Sequence, residues 1–301
     1  MISSLNASDQ QFLNNLGVVQ QRLSTDELQL SSGLKMAQVS DDPDQVSTLL
    51  QARASLATSQ QVSTNLGLVT TEVNGGEQAL ETAVTQFDQV QTLSAEANTS
   101  TQTAATRATI AQQLQSIEQQ MVGLANTNIG GRYIFAGDSD QTQPYTYDAT
   151  NADPVSAYQG SASTRVIAGP DGQTFPVALT AQQIFDSTTP ANNVFTSINS
   201  MITALQNNDS TAIQTANAGL SQVGDYLNQQ LSFYGTTQDT LSSATNDALN
   251  QQTQIQTQIS GLQDADSASV ILDMTSAQTQ ETAALTAQAQ MPRQTLFDYL
   301  G

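Results

Sequence analysis

From Ile2 to Leu30 the apolar residues fall three and four apart: Ile2, Leu5, Phe12, Leu16, Val19, Leu23 and Leu30. Asp9 and Asp26 interrupt the run. Two apolar positions per heptad make a narrow coiled-coil stripe, so the pattern predicts a helix that needs a partner to bury it. Gly33 is the expected stop, because glycine enters the left-handed conformation cheaply. A second helix is expected to start at "DDPDQ", with Asp42 as its cap, Pro43 in the first turn and Gln45 three residues after the cap. About thirty residues at the front of the chain are thereby set apart from the rest.

Residues 43 to 73 read as helix, with Val46, Leu49, Leu50, Leu56, Val62 and Leu66 toward one side. Asn74-Gly75-Gly76 is a candidate break, since each glycine inside a helix costs about 1 kcal/mol. Helix resumes to 97, and another covers 104 to 126 with Ile110, Leu114, Ile117, Met121 and Leu124 on one stripe. "NTNIGG" ends it and "RYIFAG" is a strand candidate. Five of the seven prolines lie in 137–192, which ends the long helices and marks an insertion. Within it, "TRVIAGPDGQTFPVAL" predicts two strands around a Gly-Pro-Asp-Gly turn. After it, Leu220, Leu227, Tyr234, Leu241, Ala248, Ile255 and Leu262 recur at every seventh residue and predict one helix of roughly fifty residues. The last segment, 267 to 300, again carries a thin stripe: Val270, Met274, Ala277, Ala284, Leu285, Met291, Leu296 and Leu300, with Pro292 interrupting its final turns.

The order is nearly palindromic. The expected fold is mainly α with a small β-rich insertion: a long antiparallel helical bundle with terminal coiled-coil segments. Three parts are expected: a terminal coiled-coil domain of 1–40 plus 265–301, a long helical bundle of 41–136 plus 193–264 with a short hairpin, and a β-rich outer insertion at 137–192. Gly33, Asp41, Asp42 and Pro43 on one crossing, and Asp264 and Asp266 on the other, mark the joints.

Composition narrows the chemistry. The chain of 301 residues carries a net charge of −20, and its seven basic residues are scattered. No basic patch is left to neutralise phosphates, so neither nucleic acid nor an anionic membrane surface is an expected partner. No apolar run approaches the length of a membrane span, about 18 residues. The absence of Cys and His excludes thiolate and iron–sulfur chemistry, the Ser-His-Asp triad and His-based zinc sites. The first twenty residues lack the basic and apolar regions of a cleaved signal peptide, and none is expected.

Carboxylates cluster at Asp41, Asp42 and Asp44, at Asp138 and Asp140, and at Asp264 and Asp266. Paired carboxylates suit glycoside hydrolysis or calcium, but no cluster has the spacing of a calcium loop, and helix caps and solvated loops account for them as well. Gly130, Gly131 and Gly137 lack the GxxxxGK[ST] pattern of a phosphate loop; Lys35 is the one lysine. No catalytic, metal or cofactor residue is therefore expected. The terminal stripes read instead as a self-association surface, carried by Leu5, Phe12, Leu16, Val19, Leu23, Leu30, Val270, Met274, Leu285, Leu296, Phe297 and Leu300. Each stripe alone is too thin to offset its ordering entropy, so folding of the ends is expected to accompany assembly, and Leu16→Asp to spare helical content while abolishing incorporation.

Four segments carry a resemblance: "LSSGLKMAQVSDDPDQV" (30–46), "LANTNIGGRYIFAGDSDQTQPY" (124–145), "LQDADSASVILDMTSAQ" (262–278) and the closing "QTLFDYLG". In this order, and at these distances from the ends, they resemble the flagellin family, and within it the hook–filament junction proteins. The resemblance implies a structural subunit with its terminal helices in the inner layer of a ring in a tubular assembly. The long helices would form the next layer, and the insertion would face outward. It implies passage through the flagellar type III export channel without a cleaved signal, and an extracellular place on the bacterial flagellum. The implied partners are further copies of the chain, hook-associated protein 1, flagellin, and an export chaperone at the C-terminal segment. The alternatives are filament flagellin, a glycosidase built on the acidic clusters, and a helical sensor, against which the lack of a membrane span weighs.

Overall fold

Two helices of more than fifty residues run through the fold: α2 (Pro43–Ala97) and α6 (Ser210–Gln263). The computed structural model describes residues 7–36 and 43–290. In chain order the other elements are α1 (Ala7–Ser32), α3 (Ala104–Ala125), β1 (Asn128–Ile129), β2 (Arg132–Tyr133), β3 (Val166–Ala168), β4 (Thr174–Pro176), the short α4 (Ala181–Phe185), α5 (Val194–Gln206) and α7 (Ser267–Gln290). Contacts group the chain into two compact units, Met1–Thr58 with Gln252–Gly301, and Ser59–Gln251. No helix among the described residues is long and apolar enough to cross a membrane.

In the second unit α2 buries Leu66, Val69, Val73, Leu80, Ala83, Phe87 and Val90, again three and four apart. They pack with Ile110, Leu114 and Met121 of α3 and with Leu220, Leu227, Tyr234, Leu241 and Ala248 of α6 in one core. The seventh-residue pattern of α6 is thus its buried face. Ile255 and Leu262, the last two members, are half-buried in the first unit.

The helix does not break at Asn74-Gly75-Gly76. Gly76 falls on the buried stripe, where a β-carbon would lie 2.5 Å from Tyr234 Cε1. A β-carbon on Gly75 would collide with Ile129 Cδ1. The two glycines make room for a tyrosine from α6 and for the β1–β2 hairpin. Their propensity cost is offset by this close packing.

That hairpin is short. Gly130 and Gly131 both have positive φ, 60° and 83°, between the pairs Ile129–Arg132 and Asn128–Tyr133, as a two-residue hairpin loop requires. The strand expected across "RYIFAG" covers Arg132 and Tyr133 only. Beyond them the chain turns inward, because Phe135 and Ala136 are fully buried and the Phe135 carbonyl accepts from the Ala181 N–H (2.8 Å) and the Tyr158 hydroxyl (3.0 Å). The second hairpin, β3–β4, forms around Gly169-Pro170-Asp171-Gly172 as the sequence predicts.

Residues 137–192 share the core of the helices. Phe135 stands edge-on to both Tyr234 (6.2 Å between centroids) and Phe185 (6.4 Å), Phe185 stacks on Phe195 (5.8 Å), and Phe195 meets Tyr145 (5.3 Å), which meets Tyr158 (5.6 Å). This aromatic chain, buried nearly throughout, joins the insertion to α5 and α6 and explains why contacts draw two units where the sequence suggested three parts. Glu72 on α2 adds ion pairs to Arg165 and to Arg132 (3.8 Å), and Arg132 also binds Asp140 (2.6 Å). The span 193–264 resolves into α5 and α6, divided at Asn207–Asp209. There the buried Arg107 donates to the Ala97 carbonyl at the end of α2 (3.2 Å) and to Asn208 Oδ1 (2.6 Å).

Candidate assembly surface

The first unit is built on α1 and α7, which pack against each other. α1 ends as its sequence dictates: Gly33 has φ +71° and its N–H closes on the Gln29 carbonyl (2.8 Å). The chain then passes beside residues 263–265. Lys35 N–H donates to the Gln263 carbonyl (2.7 Å), Ala265 N–H to the Gly33 carbonyl (2.9 Å), and Leu34 and Asp264 form an antiparallel bridge. Arg53 of α2 donates to Gln263 Oε1 (2.8 Å), and Met36 is buried. Asp266 caps α7, its Oδ1 accepting from Ala268 N–H (3.0 Å). The joint residues Gly33, Asp264 and Asp266 therefore serve backbone geometry and capping, and Pro43 is the first residue of α2. Asp41 and Asp42 lie outside the described residues.

From this clasp α1 and α7 run antiparallel. Leu34 pairs with Asp264 at one end, and Gln20 donates to Glu281 (3.1 Å) farther along. Facing positions thus sum to about 300 in residue number. The less exposed positions of α1 are Phe12, Leu16, Val19, Leu23, Asp26 and Gln29; those of α7 are Val270, Met274, Ala277, Glu281, Ala284 and Gln288. Both sets keep three-four spacing, the pattern of a two-helix seam. Val270 and Ala277 are buried, and the rest are half-buried.

Of the residues expected to mediate assembly, Phe12, Leu16, Val19, Leu23, Val270 and Met274 therefore occupy the seam within the chain. Leu30 (39% exposed) and Leu285 (50%) lie outside it. Leu285 sits one residue round from Ala284, which takes the seam position; Leu30 is in the last turn of α1, level with the start of α7. Leu5, Leu296, Phe297 and Leu300 fall outside the described residues. A second set of apolar side chains, which the stripe does not include, points away from the seam: Leu13 (51%), Val18 (58%) and Leu28 (57%) on α1, with Ile271 (47%) and Leu272 (68%) on α7. Their signal in the sequence is an excess of apolar residues over the two per heptad that one seam consumes. Large side chains this exposed on both helices of one pair suit contact with further helices.

Two acidic groups of the insertion, Asp140 and Asp148, have local partners. Asp140 is held below the usual carboxylate range by the Gln141 amide and by Arg132, and Asp148, likewise lowered, accepts from Thr150. Among the described residues no group of three or more metal-ligating side chains converges.

Comparison with known proteins places this arrangement. Residues 2–140 match the bacterial flagellin N-terminal helical region, and residues 211–300 match the bacterial flagellin C-terminal helical region. The chain is 28% identical over 185 residues to flagellar hook-associated protein 3 of Escherichia coli, covering 59% of this chain and 58% of that one. It is 30% identical over 162 residues to the Salmonella typhimurium protein of the same name, covering 54% and 49%. The alignments thus span about half the length of these curated relatives. Among solved structures, it resembles a putative flagellar hook-associated protein from Vibrio parahaemolyticus (TM-score 0.65, 16% identity, 74% of this chain and 100% of that one). It also resembles Xanthomonas campestris FlgL (TM-score 0.61, 17% identity, 69% and 99%). The two terminal helical regions together take in most of the chain, and the chain belongs to the flagellin family.

Proposed function

We propose that the protein is a structural subunit of the bacterial flagellum at the junction between hook and filament. The observation that carries this reading is the match to two curated relatives named hook-associated protein 3, in a chain that pairs its two terminal helices. The α1–α7 pair docks beside equivalent pairs of neighbouring copies through the side chains turned away from its own seam. On one side the ring meets hook-associated protein 1; on the other it receives the first flagellin. The subunit leaves the cell through the flagellar export channel, held beforehand at its C-terminal segment by an export chaperone. Support for self-association is the exposure of Leu13, Val18, Leu28, Ile271 and Leu272 on one helix pair.

A deletion strain tests the reading. Loss of a junction subunit leaves hooks in place and spills flagellin monomers into the medium, and the wild-type gene restores filaments. A strain whose medium contains no flagellin would instead assign the chain to the filament itself. Normal filaments in its absence would refute both.

A further inference from the structure

An open groove of about 600 Å³ runs between α2 and the two hairpins of the second unit. Leu68 of α2 and Val166 of β3 line it, together with the less exposed Ile129, Ile167 and Val177. Leu68 and Val166 are more exposed than any other large apolar side chain of the described residues except Leu272. Apolar surface this open, gathered at a groove, suits contact with another molecule. Charge narrows the choice of partner. The second unit has three basic residues, Arg107, Arg132 and Arg165, and Arg107 is buried. The other two line the groove. Glu72 pairs with both and holds them side by side, and its side chain is less exposed than either guanidinium. Arg132 also binds Asp140. A guanidinium has five N–H donors, more than these contacts consume, so an incoming carboxylate meets donors before it meets Glu72.

The chain itself carries a matching element. The turn Gly169-Pro170-Asp171-Gly172 closes the end of β3–β4 opposite Arg165, and Asp171, Gly172 and Gln173 are exposed. The turn is stiff. Gly169 N–H donates to the Gln173 carbonyl (2.8 Å) and Gly172 N–H to the Gly169 carbonyl (3.1 Å), while Asp171 Oδ1 accepts from Gln173 N–H (3.1 Å). It is an acidic knob, already ordered, that loses little entropy on docking.

We propose that this turn of one copy seats in the groove of the next, with Asp171 on Arg132 and Arg165 and with Pro170 against Leu68 and Val166. Knob and groove are different surfaces of the same unit, so the contact is head-to-tail and passes from copy to copy, as a ring of subunits requires. The ring rests on the junction reading; the contact adds a second-unit surface to the one on the α1–α7 pair.

The chain has no cysteine, so the full-length variants Leu68→Cys and Gln173→Cys each carry one thiol, and the second leaves Asp171 in place. The two are purified, mixed and treated with a short bismaleimide, and the adduct of twice the chain mass is followed on denaturing gels. The mixture is expected to couple faster than either variant alone. Asp171→Asn in the Gln173→Cys chain is expected to slow coupling about fivefold. It keeps the turn, because the amide oxygen still accepts from Gln173 N–H. A mixture that couples no faster than the single variants overturns the proposal, and so does a rate indifferent to Asp171→Asn. Faster coupling of Leu68→Cys with itself also overturns it, since that means a two-fold contact of groove with groove. If Leu68→Cys loses its helical circular dichroism, Val166→Cys takes its place. Coupling in a protein whose deletion leaves filaments normal keeps the knob and discards the ring. No coupling, beside a deletion strain that spills flagellin, discards the knob alone.

Discussion

Glu118 bears on stability. Its carboxyl titrates near 8 in the folded chain against an ordinary value of 4.5. The folded state therefore keeps a proton that the unfolded state has released, and stability falls as pH rises from about 5 to about 8. At neutral pH the loss amounts to roughly 3 kcal/mol, at about 1.4 kcal/mol per pH unit. Glu118→Gln removes the titration but keeps the shape. Urea unfolding is expected to show the variant more stable than the parent by about 1–3 kcal/mol at neutral pH and close to it near pH 5. Equal stability at both values would mean that the carboxyl is solvated. Nothing in the local sequence "SIEQQM" announces this group, because a glutamate on a helix is usually exposed. Its burial comes from the packing around α3, which joins the core with α5 and other elements distant in sequence.

At the scale of elements, the strongest periodicities translated directly into structure. The seventh-residue run of α6 and the stripe of α3 are both buried faces, and the Gly-Pro-Asp-Gly turn closes β3–β4. The expected break in α2 did not form, for a reason no local pattern contains. Tyr234 is about 160 residues away in sequence and meets Gly76 only through the fold. This makes a sharp prediction. Helix propensity alone says that Gly76→Ala stabilises α2 by about 1 kcal/mol. The contact with Tyr234 says that the β-carbon forces the ring aside, at a cost of about 1–3 kcal/mol. Because Tyr234 also accepts from the Leu179 N–H (3.3 Å) and touches Phe135, the shift spreads into the insertion. Net destabilisation by chemical denaturation is expected, and a gain would show that the ring moves freely. The strand expected at "RYIFAG" stops at Tyr133 for a related reason: Ile134, Phe135 and Ala136 are buried one after another, which the two faces of a strand at the surface do not allow.

For the molecule as a whole, the palindromic order of helices was legible, and so was the pairing of its two ends. Which side of each end is free was not, since a thin stripe does not say whether its partner belongs to the same chain. The seam position of Leu16 reverses the sequence expectation that Leu16→Asp spares helix: circular dichroism should lose helix, and proteolysis should attack α1 up to the clasp at Gly33. Leu272→Asp, on the outward side, should leave the helices intact and abolish incorporation into filaments, scored by motility and electron microscopy. If both variants swim normally, the pair is not the assembly surface. The polar contact between α1 and α7, Gln20 to Glu281, has its own consequence. Sliding one helix by a heptad would bring Glu281 level with Asp26 and Glu27 in one direction, where like charges repel. In the other direction it would come level with Phe12 and Leu13, where a carboxylate meets hydrocarbon. Glu281 thus acts as an index mark that admits one alignment of the two ends of the chain.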